Sequence, residues 1–98
     1  MNTENLVDLN EICISHKIEL SFISSLQENG LIEFITVDNK RFIESEQLKL
    51  LERCISLHYD LDINVEGIET INYLLEKINS LQEEVVVLKN RLRHYEKT

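Results

Sequence analysis

The chain has no proline and only two glycines among its 98 residues. No glycine-rich loop can therefore cradle a phosphate. There are two cysteines, which fit a reducing compartment. No apolar run reaches membrane length and no signal peptide is evident, so a cytoplasmic protein with no membrane partner is expected. Basic residues are scarce: ten Lys and Arg face eighteen Asp and Glu, a net charge of −8. The first sixty residues alone carry five basic against eleven acidic side chains. Such a balance argues against duplex nucleic acid and for a basic protein surface as partner. No nucleophile elbow or paired acid/base motif occurs, and the three histidines are scattered. The expectation is a non-enzymatic protein without cofactor.

What the chain does have is a long uninterrupted helical pattern at its C-terminal end. Every seventh residue from Ile71 gives Ile71, Ile78, Val85 and Leu92. Every seventh from Leu74 gives Leu74, Leu81, Leu88 and Tyr95. All eight are apolar or aromatic, so both seams of a heptad repeat are filled. A lone helix would leave this seam wet, so it calls for a partner, either a second copy or the rest of the chain. β-Branched residues on one seam and leucines on the other lean toward a parallel pair, as do Glu84 with Lys89 and Arg91 with Glu96, but the pattern leaves parallel and antiparallel pairing both open. The same charges can serve as neighbours on one helix. Val86 and Val87 lie off the seam and widen the apolar surface. Residues 1–64 are expected to form a small domain and residues 65–98 a helical arm with the dimerisation seam.

Met1 to Asn5 are polar and expected to fray, and Leu6-Val7 suits a short strand or a helix entry. Asp8 or Asn10 can cap a helix that turns Leu9, Ile12 and Cys13 inward. Ser15-His16-Lys17 reads as a turn. A second helix from about Glu19 to Asn29 presents Leu20, Phe22, Ile23 and Leu26, and Gly30 suits its left-handed cap. Leu31–Val37 and Lys40–Ile43 form a hairpin about Asp38-Asn39. A third helix carries Leu48, Leu51 and Ile55 to about His58. Asp60–Asn64 connect it to the last helix, which Asn64 can cap and whose Ile68, Ile71 and Leu75 face the core.

Helix, turn, helix, hairpin, helix and coil resembles the MerR family of winged helix-turn-helix proteins. The residues carrying the resemblance are Ile12, His16-Lys17-Ile18, Phe22, Leu26, Gly30-Leu31-Ile32, Arg41-Phe42-Ile43, Leu48, Leu51, Ile55, Leu61-Asp62-Ile63 and Glu66-Gly67-Ile68. The fold class expected is mainly α, with a small β-hairpin wing and a C-terminal coiled-coil helix. MerR-type regulators place arginine in the second helix and the wing, but Glu19–Asn29 contains no Lys or Arg, and the wing offers only Lys40 and Arg41. That departure, the acidic balance, the stretch from Cys54 to Asn64 and the ending Leu88–Arg93 resemble the chaperone-modulator branch. This resemblance implies binding to the J-domain of a DnaJ-like co-chaperone, curved DNA-binding protein A, and inhibition of its action with Hsp70. The alternative is a DNA-binding regulator contacting DNA through Lys17, Lys40 and Arg41.

Candidate partner-binding residues are Asp60, Asp62, Glu66, Glu69, Tyr73 and Glu76, in a stretch without Lys or Arg. On a helix the last four share one face, opposite Ile68, Ile71 and Leu75. A basic J-domain helix, which the resemblance implies, complements such a face. The bland reading is a solvated face with acids favourably near a helix N-terminus. Phe22 and Phe34 are candidate anchors on an alternative surface, but fit a core better. Cys13 with His16 and Cys54 with His58 have spacings allowed for zinc. The pairs stand about forty residues apart in sequence, without knuckle glycines, and both cysteines sit on apolar faces. No metal is expected.

Overall fold

The computed structural model describes residues 5–96. Its elements follow the order β1 (Leu6–Asp8), α1 (Leu9–His16), α2 (Leu20–Glu28), β2 (Ile35–Val37), β3 (Lys40–Glu44), α3 (Leu48–Ile55) and α4 (Val65–Glu96). The fraying expected of Met1 to Asn5 lies outside the described residues except at Asn5, which is exposed.

Asp8 starts α1 by accepting the Asn10 N–H on its carboxylate at 2.9 Å. The helix does not break at Ser15. It continues through His16, and the chain reverses only at Lys17, whose φ is 55°. The reversal is closed by Ile18 N–H donating to the Cys13 carbonyl at 3.0 Å, while the Ile18 side chain is buried. That apolar anchor and the satisfied carbonyl hold the left-handed residue in place, which three polar side chains in sequence do not reveal. α2 ends in the same way, with Gly30 at φ 74° and Leu31 N–H on the Leu26 carbonyl at 2.9 Å.

The strand expected from Leu31 starts only at Ile35. Leu31 and Ile32 are consecutive and both buried, so this segment lacks the in–out alternation of a strand with one solvated face. The Gln47 side-chain amide instead satisfies both backbone groups of Glu33, at 3.0 Å and 3.1 Å. β2 and β3 then form the hairpin, with Val37 opposite Lys40 and Ile35 opposite Phe42. Asp38 and Asn39 both have positive φ, 50° and 63°, as a two-residue turn matched to strand twist requires. β1 joins the other edge of β3, giving an antiparallel sheet of order β1-β3-β2.

The core gathers Leu9 and Ile12 of α1, Phe22, Ile23 and Leu26 of α2, Ile32, Ile43 of β3, Leu51 and Cys54 of α3, and Ile68 from the first turns of α4. Phe22 is therefore core, as expected, and Phe34 packs against it half-buried. Beyond Ile68 the arm leaves the core. Ile71 is half-buried, whereas Leu75 is exposed and does not face the core as expected. At a rise of about 1.5 Å per residue, Leu75 lies roughly 10 Å further along the axis than Ile68, past the edge of this small core.

Candidate functional site

α3 does not end as an ordinary helix. Ser56–Asp60 continues it as a π turn. Ile63 N–H then donates to the Leu57 carbonyl at 3.0 Å, six residues back, with Asp62 left-handed at φ 57°. This closure is one residue wider than the usual one, as the π widening demands. Asn64 opens α4: its side-chain carbonyl accepts the Gly67 N–H at 2.8 Å. Gly67 must stay small there, because a Cβ would meet Ile63 Cγ2 at 2.7 Å.

The six candidate acidic-site residues fall into two groups. Glu66, Glu69, Tyr73 and Glu76 lie at spacings of three and four on α4, and all are exposed. Ile68 is buried on the other side of the same helix. Asp60 and Asp62 belong instead to the bend. Asp60 accepts the Ser56 hydroxyl at 2.9 Å, and Asp62 supplies the left-handed residue. Acids at the start of α4 also suit the positive end of its dipole.

The bend carries a feature that sequence reasoning missed. The Phe22 and His58 rings stack at 4.4 Å with planes 15° apart, and the Tyr59 ring stands nearly perpendicular to both. His58 Nδ1 lies 2.8 Å from the Ile63 carbonyl, so this nitrogen carries the proton and donates it. The Tyr59 hydroxyl accepts the Glu19 N–H at 3.2 Å, satisfying a donor at the start of α2. His58 is thus occupied in packing. Cys54 is buried and Cys13 half-buried against the core, and burial pushes both thiols up. Among the described residues no three His, Cys, Asp or Glu side chains gather to hold a metal ion.

The heptad seam runs along the open flank of α4. From Leu74 to Leu92 its six residues are between 47% and 60% exposed in the single chain. A shallow groove lined by Ile78, Leu81, Gln82, Val85 and Val86 follows it. Val86 and Val87 are exposed as well, so this level of the arm is apolar on several sides. Among the described residues, no helix is long and apolar enough to cross a membrane.

A helix-turn-helix, a hairpin wing on a three-stranded sheet and a long terminal helix together define a winged helix-turn-helix protein with a helical arm. The chain belongs to the MerR HTH regulatory protein family, whose model matches residues 7–90. It is 26% identical over 90 residues to the chaperone modulatory protein CbpM of Pseudomonas putida (strain W619), covering 91% of this chain and 89% of that protein. The protein of the same name from Pseudomonas entomophila (strain L48) is 23% identical over the same shares. No solved structure matches the chain significantly.

Proposed function

We propose that this chain is a non-enzymatic modulator that binds the J-domain of a DnaJ-like co-chaperone and inhibits its action with Hsp70. The relatives named chaperone modulatory protein support a chaperone-modulating role, and their names describe a modulator rather than an enzyme. One observation carries the finer reading. The helix that a DNA-binding relative would place against phosphates, α2, has no Lys or Arg, while acids gather at the bend and along the first turns of α4. With about one counterion released per phosphate contact, Lys17, Lys40 and Arg41 alone supply little affinity for duplex. Exposed carboxylates instead complement a cationic protein helix and speed its approach.

The protein works in the cytoplasm, and two copies join through the seam of α4. The working surface comprises Asp60, Asp62, Glu66, Glu69, Tyr73 and Glu76.

The test is a steady-state ATPase assay of Hsp70 stimulated by the co-chaperone of the same organism. Added protein should lower the stimulated rate in a saturable way and leave the basal Hsp70 rate unchanged. A Glu66→Lys/Glu69→Lys variant should require more protein for the same inhibition. Stimulation that persists at saturating protein rejects the inhibitor reading.

A further inference from the structure

The junction between α2 and the π turn is made by two adjacent aromatic rings of the π turn meeting the start of α2. π geometry is rare, and where it occurs it often marks a functional site. Here it splits two adjacent rings. His58 turns in to stack on Phe22, while Tyr59 remains 45% exposed. Yet Tyr59 is held at two points: its ring against Phe22 at 5.4 Å and its hydroxyl on the Glu19 N–H. Leu20, the residue after that hydrogen bond, is 40% exposed, and Leu61, two residues past Tyr59, is 64% exposed. A fixed ring with exposed leucines on either side in the chain loses little conformational freedom on binding, which is the character of an interface anchor.

The charges at this junction have one dominant sign. Glu19 holds the N-cap position of α2 without a side-chain capping bond, Asp60 ends the π turn and Asp62 occupies the left-handed position after it, all exposed. Lys17, in the turn before α2, is the one nearby cation in sequence. Exposed apolar side chains interleaved in the chain with exposed acids suit a helix whose basic side chains surround one or two apolar ones. The long aliphatic stems of Lys and Arg can cover the leucines while their heads meet the acids.

We infer that Tyr59, Leu20 and Leu61 form the anchoring spot of the partner-binding surface, with Glu19, Asp60 and Asp62 as its rim, and that its occupant is a cationic helix of a protein partner. The inference rests on the proposed J-domain reading. It moves the centre of the site from the α4 face to the α2–π turn junction and adds three residues that charge alone does not select.

The experiment titrates the full-length protein with the isolated J-domain, using wild type, Leu61→Ser, Leu20→Ser and Glu76→Lys. Thermal melts check that each variant keeps its fold, and the more exposed Leu61 decides if Leu20→Ser melts early. Each leucine change should weaken binding about tenfold or more, chiefly through faster dissociation. Glu76→Lys, further up the arm, should cost less than about threefold and act on association. Leucine variants that bind like wild type overturn the inference and leave the J-domain reading standing. A wild-type protein that does not bind the J-domain overturns both.

Discussion

The Tyr59 hydroxyl accepts the backbone N–H of Glu19 at 3.2 Å, across forty residues of sequence. This bond fastens the end of the π turn to the start of α2.

Tyr59→Phe keeps the ring contact with Phe22 and removes only this bond. The donor it leaves is exposed and can turn to water, so the loss should stay near the low end for a hydrogen bond, about 0.5–1 kcal/mol. Urea unfolding followed by circular dichroism measures it. Unchanged stability would mean that the bond does not tie the two elements together in solution.

Gly67→Ala tests the entry to α4. In an open helix the change stabilises by up to about 1 kcal/mol. Here the new Cβ meets Ile63 Cγ2 at 2.7 Å and Asn64 Oδ1 at 3.0 Å, so Ile63 or the cap must shift. The melting temperature should fall, and Ile63→Leu, which lacks that methyl branch, should recover part of the loss. A rise in melting temperature on Gly67→Ala alone would show that the junction is looser than its geometry indicates.

The two thiols should react at different rates. Cys54 is buried, and Cys13 is half-buried, with both thiols pushed up by desolvation. A thiol reagent at neutral pH should label Cys13 first and Cys54 only as the protein opens. Because the folded state favours the neutral thiol, its contribution is fully present below the unfolded thiol range. It declines as pH rises through that range, from about 8.5 upward. Equal labelling rates would contradict the burial of Cys54.

Leu81→Glu with Leu88→Glu places charge in the middle of the seam while leaving the core untouched. Sedimentation should show the wild type as a dimer at micromolar concentration and the variant as a monomer with the same near-native helix signal in its domain. A wild type that sediments as a monomer would contradict a seam closed by a second copy.

The architecture was legible where chemistry and spacing coincide. Gly30 announced a left-handed cap, Asp38-Asn39 a two-residue hairpin turn and Asn64 a helix start, and each occurs. Lys17 was not legible, because its left-handed conformation is stabilised by the burial of Ile18 rather than by its own side chain. Leu31–Phe34 looked like strand from its β-branched and aromatic content, yet tertiary burial of two successive residues and the Gln47 amide override that preference. Of the candidate site, the acids on α4 were legible from their spacing. The Phe22–His58–Tyr59 cluster was not, since no local pattern pairs residues some forty positions apart. His58 stands out in the sequence only for its zinc-like spacing from Cys54, whereas its bond to the Ile63 carbonyl and its stacking on Phe22 depend on contacts that no local pattern shows.

The most direct measurement is fluorescence anisotropy of the labelled protein at low salt, titrated in parallel with the isolated J-domain of its own co-chaperone and with random duplex DNA. Saturable binding to the J-domain, weakened by salt, and no binding to duplex are expected. Binding to duplex with a steep salt dependence, and none to the J-domain, would contradict the J-domain reading.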